Sequence, residues 1–163
     1  MGKKKNKETP GEVLVCRNPK AVKSYDFEER YEAGLVLSGS EVKSMRERRA
    51  DLEGAYASVH GDEVFLHKMH VAPYLHAGAF GHEPRRTRKL LLHRHEIERI
   101  RGRLVQKGYA LVPLQVYFKK GFAKVQVGLG KGRTKGDQRH ELRKQLDLKE
   151  ARAAVRKIHE RDQ

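Results

Sequence analysis

The sequence predicts a mainly β fold: a small antiparallel barrel, closed or nearly closed, with two or three flanking helices and a basic tail. Six or seven short segments have the composition of strands, two pairs of them flank hairpin turns, and apolar residues alternate along the clearest pair. Closure is favoured because it removes exposed strand edges.

The first strands are predicted at residues 13–17 and 24–37. The first is short and apolar, and Asn18-Pro19 after it indicates a turn. In the second, aromatic residues alternate, whereas the charged residues 28–30 indicate a junction between two strand segments.

A helix is predicted over residues 41–48, where the apolar period changes from two to about four. Ser40 is expected to cap it, and Glu41 in its first turn favours the helix dipole. Apolar positions three residues apart face the core, and Lys43 and Arg46 lie on an adjoining face.

Two hairpins and a second helix are predicted in the rest of the barrel. Gly61-Asp62 and Lys120-Gly121 divide residues 55–68 and 109–129 into strand pairs, the second with clear alternation. Between the hairpins, residues 93–107 have apolar residues at helical spacing and end before a glycine.

The net charge of +15 indicates a polyanionic partner, most commonly nucleic acid. The chain has 36 Lys and Arg against 21 Asp and Glu. Scattered solubilising charge would explain single lysines, but it explains clustering at loop tips and strand ends poorly. The clustered cations are Arg85, Arg86, Arg88, Lys89, Lys119, Lys120, Lys124, Lys131 and Arg133.

Several other classes of protein are disfavoured by the motifs. The single cysteine, Cys16, and the lack of a signal peptide or an apolar run of membrane length predict a cytosolic protein in a reducing compartment. Neither a phosphate-binding glycine loop nor a nucleophile elbow occurs. The histidine pairs His67/His70 and His93/His95 lack further ligands, so we expect no metal site. Because these catalytic and nucleotide-binding motifs are missing, we also expect no cofactor and no enzyme activity.

The predicted organisation is a disordered basic arm over residues 1–11, a barrel over 12–130, and a basic tail over 131–163. The tail contains eleven basic and six acidic residues, which favours disorder or fraying when free and a helix on an anionic partner. Its intermittent apolar stripe consists of Leu142, Leu146, Ala151, Val155 and Ile158.

Six motifs in order along the chain resemble the small protein B family, the SsrA-binding proteins of bacteria. They are NPKA (18–21), YEAGLVL (31–37), EVKSMR (41–46), RTRKLLL (86–92), GYALVP (108–113) and KGR (131–133). Each motif alone is weak, but their ordered occurrence is specific.

The resemblance implies a closed oligonucleotide-binding-type barrel and a non-catalytic adaptor of trans-translation. Such a protein binds the tRNA-like domain of transfer-messenger RNA and brings it to stalled ribosomes, while its tail occupies the empty mRNA channel near the decoding centre. Its implied partners are this RNA, the small ribosomal subunit with its ribosomal RNA, and elongation factor Tu within the delivery complex. We expect a monomer.

The resemblance also implies the site residues. Those for RNA binding are Asn18, Glu32, Lys43, Arg46, Arg86, Arg88, Lys89, Lys124, Lys131 and Arg133. Glu32 either accepts hydrogen bonds from bases or 2′-hydroxyls, or forms a structural ion pair that touches no RNA.

Within the tail, the residues implied to engage the decoding centre are Asp137, Arg139, Arg143 and Lys144. Gly136 and Gln138 depart from the family pattern, which has an aromatic residue or histidine and a lysine there.

Two other functions remain open at this point. The first is a structural component of the ribosome that is permanently bound to ribosomal RNA. The second, an RNA-processing enzyme, would need a catalytic residue set that the sequence does not show.

Overall fold

The computed structural model describes residues 10–161, apart from the side chains at positions 135, 137, 138 and 157–161. The predicted arm therefore lies largely outside the described residues. The strands are β1 Glu12–Arg17, β2 Tyr25–Leu35, β3 Ala50–Asp51, β4 Tyr56–His60, β5 Glu63–His67, β6 His70–Val71, β7 Arg88–Leu91, β8 Tyr109–Lys119 and β9 Phe122–Gly132. The helices are α1 Pro19–Ser24, α2 Gly39–Arg46, α3 Arg94–Leu104 and α4 Lys135–Arg161.

The fold is mainly antiparallel β, as predicted. Seven strands form one sheet in the order β1-β8-β4-β5-β7-β2-β9, and β8 also pairs with β9, while β3 and β6 form a separate short pair. The chain divides into two compact units, the first ending at Gly132 and the second beginning at Arg133.

Both predicted hairpins are present in the sheet. Val59 lies opposite Val64 in the first hairpin and Val116 opposite Val125 in the second, so alternate apolar residues face the core together. At the second tip Lys120 and Gly121 have φ of 51° and 81°, the backbone that a tight two-residue hairpin turn requires.

The predicted division of residues 24–37 into two strands is wrong. β2 is one strand of eleven residues, and the charged segment marks a bulge in its pairing with β9 between Phe27 and Glu29. Gly130 permits this bulge, because a Cβ atom there would lie 2.0 Å from the carbonyl oxygen of Asp26.

Two predicted chain features have different local structures. The predicted turn at Asn18-Pro19 is instead the start of helix α1. The Asn18 Oδ1 accepts a hydrogen bond from the Ala21 N–H at 3.2 Å, and Pro19 fits the first helical position because an N–H there would have no acceptor within the helix. Helix α2 starts two residues earlier than predicted and is capped by Ser38 rather than Ser40.

Ser40 instead contacts a loop that is distant in sequence. Its hydroxyl lies 2.8 Å from His82 Nδ1, and His82 Nε2 lies 3.0 Å from the Val71 carbonyl oxygen. Because the carbonyl can only accept, Nε2 is a donor, and in the neutral ring Nδ1 accepts from Ser40.

The main core lies where α2 and α3 pack against one face of the sheet. Met45 of α2 and Ile100 of α3 are fully buried against inward residues of the strands. Burial raises the pKa of Cys16 to about 12, so this thiol stays protonated at neutral pH. In the described part of the chain, no helix has the length and apolar character needed to cross a membrane.

The second unit contains one continuous helix, α4, of 27 residues. At about 100° per residue, Leu142 and Leu146 lie on one side, whereas Leu148 and Val155 lie about 120° to 180° away from them around the axis. All four side chains are more than half exposed. The apolar residues of the predicted stripe therefore lie in two separate rows on α4. Disorder of the tail in the free protein stays a prediction.

Candidate nucleic-acid interface

A cluster around Glu32 lies on the outer face of the sheet where β2, β9 and β8 adjoin. Tyr117 donates a short hydrogen bond to the Glu32 carboxylate, and Lys119 Nζ lies 3.4 Å from the same oxygen. Pairing places Gln126 opposite Glu32 and Lys124 opposite Tyr117, so these side chains share one face.

The Glu32 carboxylate is held in its ionised form. The hydrogen bond from Tyr117 and the positive charges of Lys119 and Lys124 lower the pKa of Glu32 below its usual value, although partial burial opposes this. Its side chain is 39% exposed, so the ionised oxygens can still accept hydrogen bonds from an outside donor.

The cations of α2 lie over aromatic rings. The Arg46 guanidinium is 4.8 Å from the centre of the Phe118 ring, and Lys43 Nζ is 5.3 Å from that of Tyr74. Phe118 belongs to the core, whereas its neighbours Tyr117 and Lys119 point to the other face of β8 and contact Glu32, so Arg46 does not belong to the Glu32 cluster. Both cations are exposed.

A second charged centre is buried between α2 and the segment leading into β7. Glu41 and Arg88 are fully buried and joined by a short ion pair, and Arg86 Nε donates to the same carboxylate at 2.7 Å. Arg88 also donates to the carbonyl oxygens of Met69 at 2.8 Å and Pro84 at 3.2 Å. The Glu41–Arg88 pair thus joins three chain segments: α2, residues 84–88 and Met69.

This centre corrects two sequence-based interpretations. Arg88 was expected to contact RNA, but its guanidinium is enclosed by protein acceptors and 0% exposed. Glu41 was expected to act on the helix dipole, but its main role is to balance Arg88 and Arg86, while it also accepts from the Ser38 N–H. Arg86, with a 34% exposed side chain, can still meet a ligand.

Asn18 is also enclosed by the protein. Its Nδ2 donates to the Pro113 carbonyl oxygen at 3.1 Å, while its Oδ1 caps α1, and the residue is 7% exposed. The side chain therefore fixes α1 against β8 and has little capacity left for RNA.

The other predicted cations do not form one patch. Lys89 pairs with Glu63 at 2.6 Å, and Lys131 Nζ lies 5.0 Å from the centre of the Tyr109 ring. Seven residues of β9, roughly 23 Å, separate Lys131 from Lys124. Any RNA that contacts both must therefore extend along this strand.

The predicted tail residues fall in the second unit. Arg133 is half-buried just before α4, and Arg139, Arg143 and Lys144 are exposed on the helix. Asp137 lies within α4, but its side chain is outside the described residues.

The histidine pairs have structural partners. His67 Nε2 lies 2.6 Å from the Ser58 hydroxyl, and the rings of His93 and His95 stack at 5.5 Å. Throughout the described residues, no group of three or more potential metal ligands is found.

Several polar residues near Glu32 were missed from the sequence. Arg17, Arg30, Gln115 and Gln126 meet only through the pairing of β1 with β8 and β2 with β9. Each of these residues alternates with core residues along its strand, which indicates that its side chain points outward. This pattern does not identify which strands are neighbours.

Comparison with known proteins identifies the family. The sequence model described as SmpB protein matches residues 15–157. The SsrA-binding protein of Geobacter sulfurreducens is 45% identical over 146 residues, covering 90% of this chain and 95% of the relative. That of Bacillus cereus is 48% identical over 143 residues, covering 88% and 92%.

A solved structure described as tmRNA–SmpB at the centre of the bacterial ribosome contains a similar chain. It is 40% identical, has a TM-score of 0.63, and covers 78% of this chain and 94% of the solved one. The family resemblance predicted from the ordered motifs is confirmed by these matches, and the chain belongs to the SmpB protein family.

Proposed function

We propose that this protein is a non-catalytic RNA-binding adaptor of trans-translation. It binds the tRNA-like domain of transfer-messenger RNA and delivers it to stalled ribosomes, so that rescue and peptide tagging follow. The observation that carries the proposal is the family match over residues 15–157, which includes most of both compact units.

The proposed architecture of the first unit is a closed barrel of the oligonucleotide-binding type. The pairing of β8 with β4 on one side and β9 on the other supports it. Starting at β8, the pairings run through β4, β5, β7, β2 and β9 and then return to β8. These six strands therefore form a ring, and β1 is an added edge strand.

The proposed RNA surface has two parts: Glu32 and Lys124 on the outer face of the sheet, and Arg46, Lys43 and Arg86 on α2 and the segment leading into β7. Cations bind the phosphates, while an ionised carboxylate accepts from base amino groups or 2′-hydroxyls. Lys89 and Lys131 extend the contacts along the sheet. Asn18 and Arg88 are left out because both are buried and their polar atoms are bonded to the protein.

We propose that α4 is the part that engages the ribosome, in the empty mRNA channel near the decoding centre. Arg139, Arg143 and Lys144 face solvent and can contact ribosomal RNA of the small subunit. Asp137 is assigned to the same site on family grounds. We further propose a cytoplasmic monomer that meets elongation factor Tu through the shared RNA.

Capture of the bound RNA tests this function. Purifying the tagged protein from its own cells and sequencing its RNA should show transfer-messenger RNA enriched far above its cellular share. Ribosomal RNA alone, at near-equal stoichiometry, would instead identify a structural ribosomal protein. A version of the protein carrying Glu32→Gln and Lys124→Gln serves as the control and should lose the enrichment.

Replacing Glu32 by glutamine should weaken binding to the tRNA-like domain about tenfold, a loss of roughly 1.4 kcal/mol. The melting temperature should change little, because an ion pair this exposed contributes about 1 kcal/mol or less. Filter binding and thermal unfolding measure the two quantities.

Tyr117→Phe is the matched control for this substitution. It removes the hydroxyl that donates to Glu32 while the carboxylate stays, so most of the affinity should remain. If Glu32→Gln and Tyr117→Phe reduce stability and binding to the same extent, Glu32 is a structural partner and does not contact RNA.

A further inference from the structure

A cleft adjoins the Glu32 cluster on the outer face of the sheet and is not part of the proposed RNA surface. Its volume is about 570 Å³, within the range of roughly 300–1,000 Å³ that holds small ligands. Its lining consists of Arg17, Asn18, Pro19, Val22, Lys23, Arg30, Leu114, Gln115 and Gln126.

The cations of the cleft have no carboxylate partner among the described residues. Arg17, Lys23 and Arg30 are exposed, none forms an ion pair with a described carboxylate, and no acidic residue is among the lining residues. Other exposed cations of the first unit are neutralised by a carboxylate, as in Lys20 with Glu53 and Arg99 with Glu29. Three unpaired positive charges around one cleft favour an anionic ligand.

The cleft also contains two amide side chains suited to reading a base. Gln115 lies opposite Gln126 in the pairing of β8 with β9, and both are half-buried without a side-chain hydrogen bond among the described residues. Each amide offers both donors and an acceptor, which matches the mixed edge of an unpaired base. A phosphate alone would need no such acceptors.

The remaining wall of the cleft is apolar. Val22 is 50% exposed, and Pro19 lies beside it on α1, so a flat ring can pack there. Leu114 forms the floor and packs beneath α1 against Ala21. Charge, amide groups and an apolar wall thus lie together at the scale of one nucleotide.

We infer that this cleft binds one unpaired nucleotide of the bound RNA. Arg17, Lys23 and Arg30 hold its phosphates, the Gln115 and Gln126 amides bind the base edge, and the base packs on α1. The inference rests on the proposed function, since it deepens the RNA surface with a subsite that selects an unstacked base.

Two double variants separate the parts of the subsite. Arg17→Gln with Arg30→Gln should weaken binding to the tRNA-like domain tenfold or more and lower the salt slope of log Kd by about 2, roughly one per lost phosphate contact. Gln115→Ala with Gln126→Ala should weaken binding about tenfold with an unchanged salt slope, because no charge is lost.

The matched control removes the same charge elsewhere. Arg94→Gln with Lys107→Gln changes two exposed cations on and after α3, and should alter affinity less than twofold. A cross-linking residue in place of Val22 should mark one unpaired nucleotide. Circular dichroism and urea unfolding establish that each variant is folded before its affinity is compared.

The results distinguish this inference from the proposed function. If the wild-type protein binds the tRNA-like domain no better than an unrelated folded RNA, the proposed function fails. If it binds specifically but the amide variant has wild-type affinity, or the Arg94 and Lys107 control loses as much affinity as the Arg17 and Arg30 variant, the nucleotide subsite is overturned.

Discussion

Replacing Glu41 by glutamine is expected to lower the free energy of unfolding by about 3–5 kcal/mol, because it leaves the Arg88 charge buried without its partner. The glutamine amide offers one acceptor oxygen where the carboxylate offers two, so Arg86 and Arg88 would compete for it and the attachment of the loop before β7 to α2 would weaken. Urea unfolding of the two proteins measures the difference.

Glu47→Gln provides the control for this prediction. Glu47 follows α2, is exposed, and its closest cation is Arg49 at 3.9 Å, so its loss should cost less than about 1 kcal/mol. Adding Arg88→Met to Glu41→Gln should recover part of the stability by removing the buried charge. A cost for Glu41→Gln as small as that for Glu47→Gln would contradict the assigned role.

The pH dependence of stability gives an independent check on Glu41. Burial alone would raise the pKa of Glu41, but hydrogen bonds from Arg86, the Ser38 N–H and Arg88 outweigh it and hold this pKa below its ordinary value. The ionised carboxylate therefore stabilises the fold above its ordinary pKa, and this contribution is lost as pH falls through the lower, folded value. The difference between wild type and Glu41→Gln should shrink in acid.

Ending the chain at Gly132 is expected to abolish tagging of stalled peptides while RNA affinity changes by less than about threefold. The cut follows the last residue of β9 and leaves every pairing of the sheet in place. Binding should be measured near physiological salt, where unspecific attraction from the removed cations is screened. Tagging is measured by antibody detection of the added peptide.

A scrambled tail of the same composition controls for charge. It should bind the RNA normally and fail to restore tagging, because α4 presents particular residues in order. Loss of RNA affinity on truncation would show that the two units do not divide the function. Tagging by the scrambled protein would show that the tail contributes only positive charge.

The sequence predicted the hairpins well because their signals are local. Lys120-Gly121 fits a turn that needs positive φ, and period-2 alternation on both sides sets the register. The bulge at residues 28–30 was read as a break, since a bulge and a strand end both interrupt alternation. Only the approach of Gly130 to Asp26 distinguishes them, and that contact is distant in sequence.

The charged residues were harder to interpret because burial cannot be read from a cluster of cations. Arg86, Arg88 and Lys89 occur in one run, yet Arg88 is buried whereas Arg86 and Lys89 are half-buried. The difference depends on Glu41, about 45 residues away, which selects Arg88 as its partner. The subsite residues Gln115 and Gln126 similarly become neighbours only when β8 and β9 pair.

The two apolar rows of α4 limit what kind of partner can receive this helix. A flat surface covers one side of a rod, so it would bury Leu142 and Leu146 and leave Leu148 and Val155 in water, or the reverse. Only a partner that encircles the helix can desolvate both rows at once. The geometry therefore favours a tubular binding site over an open groove, which is what the proposed place in the mRNA channel would provide.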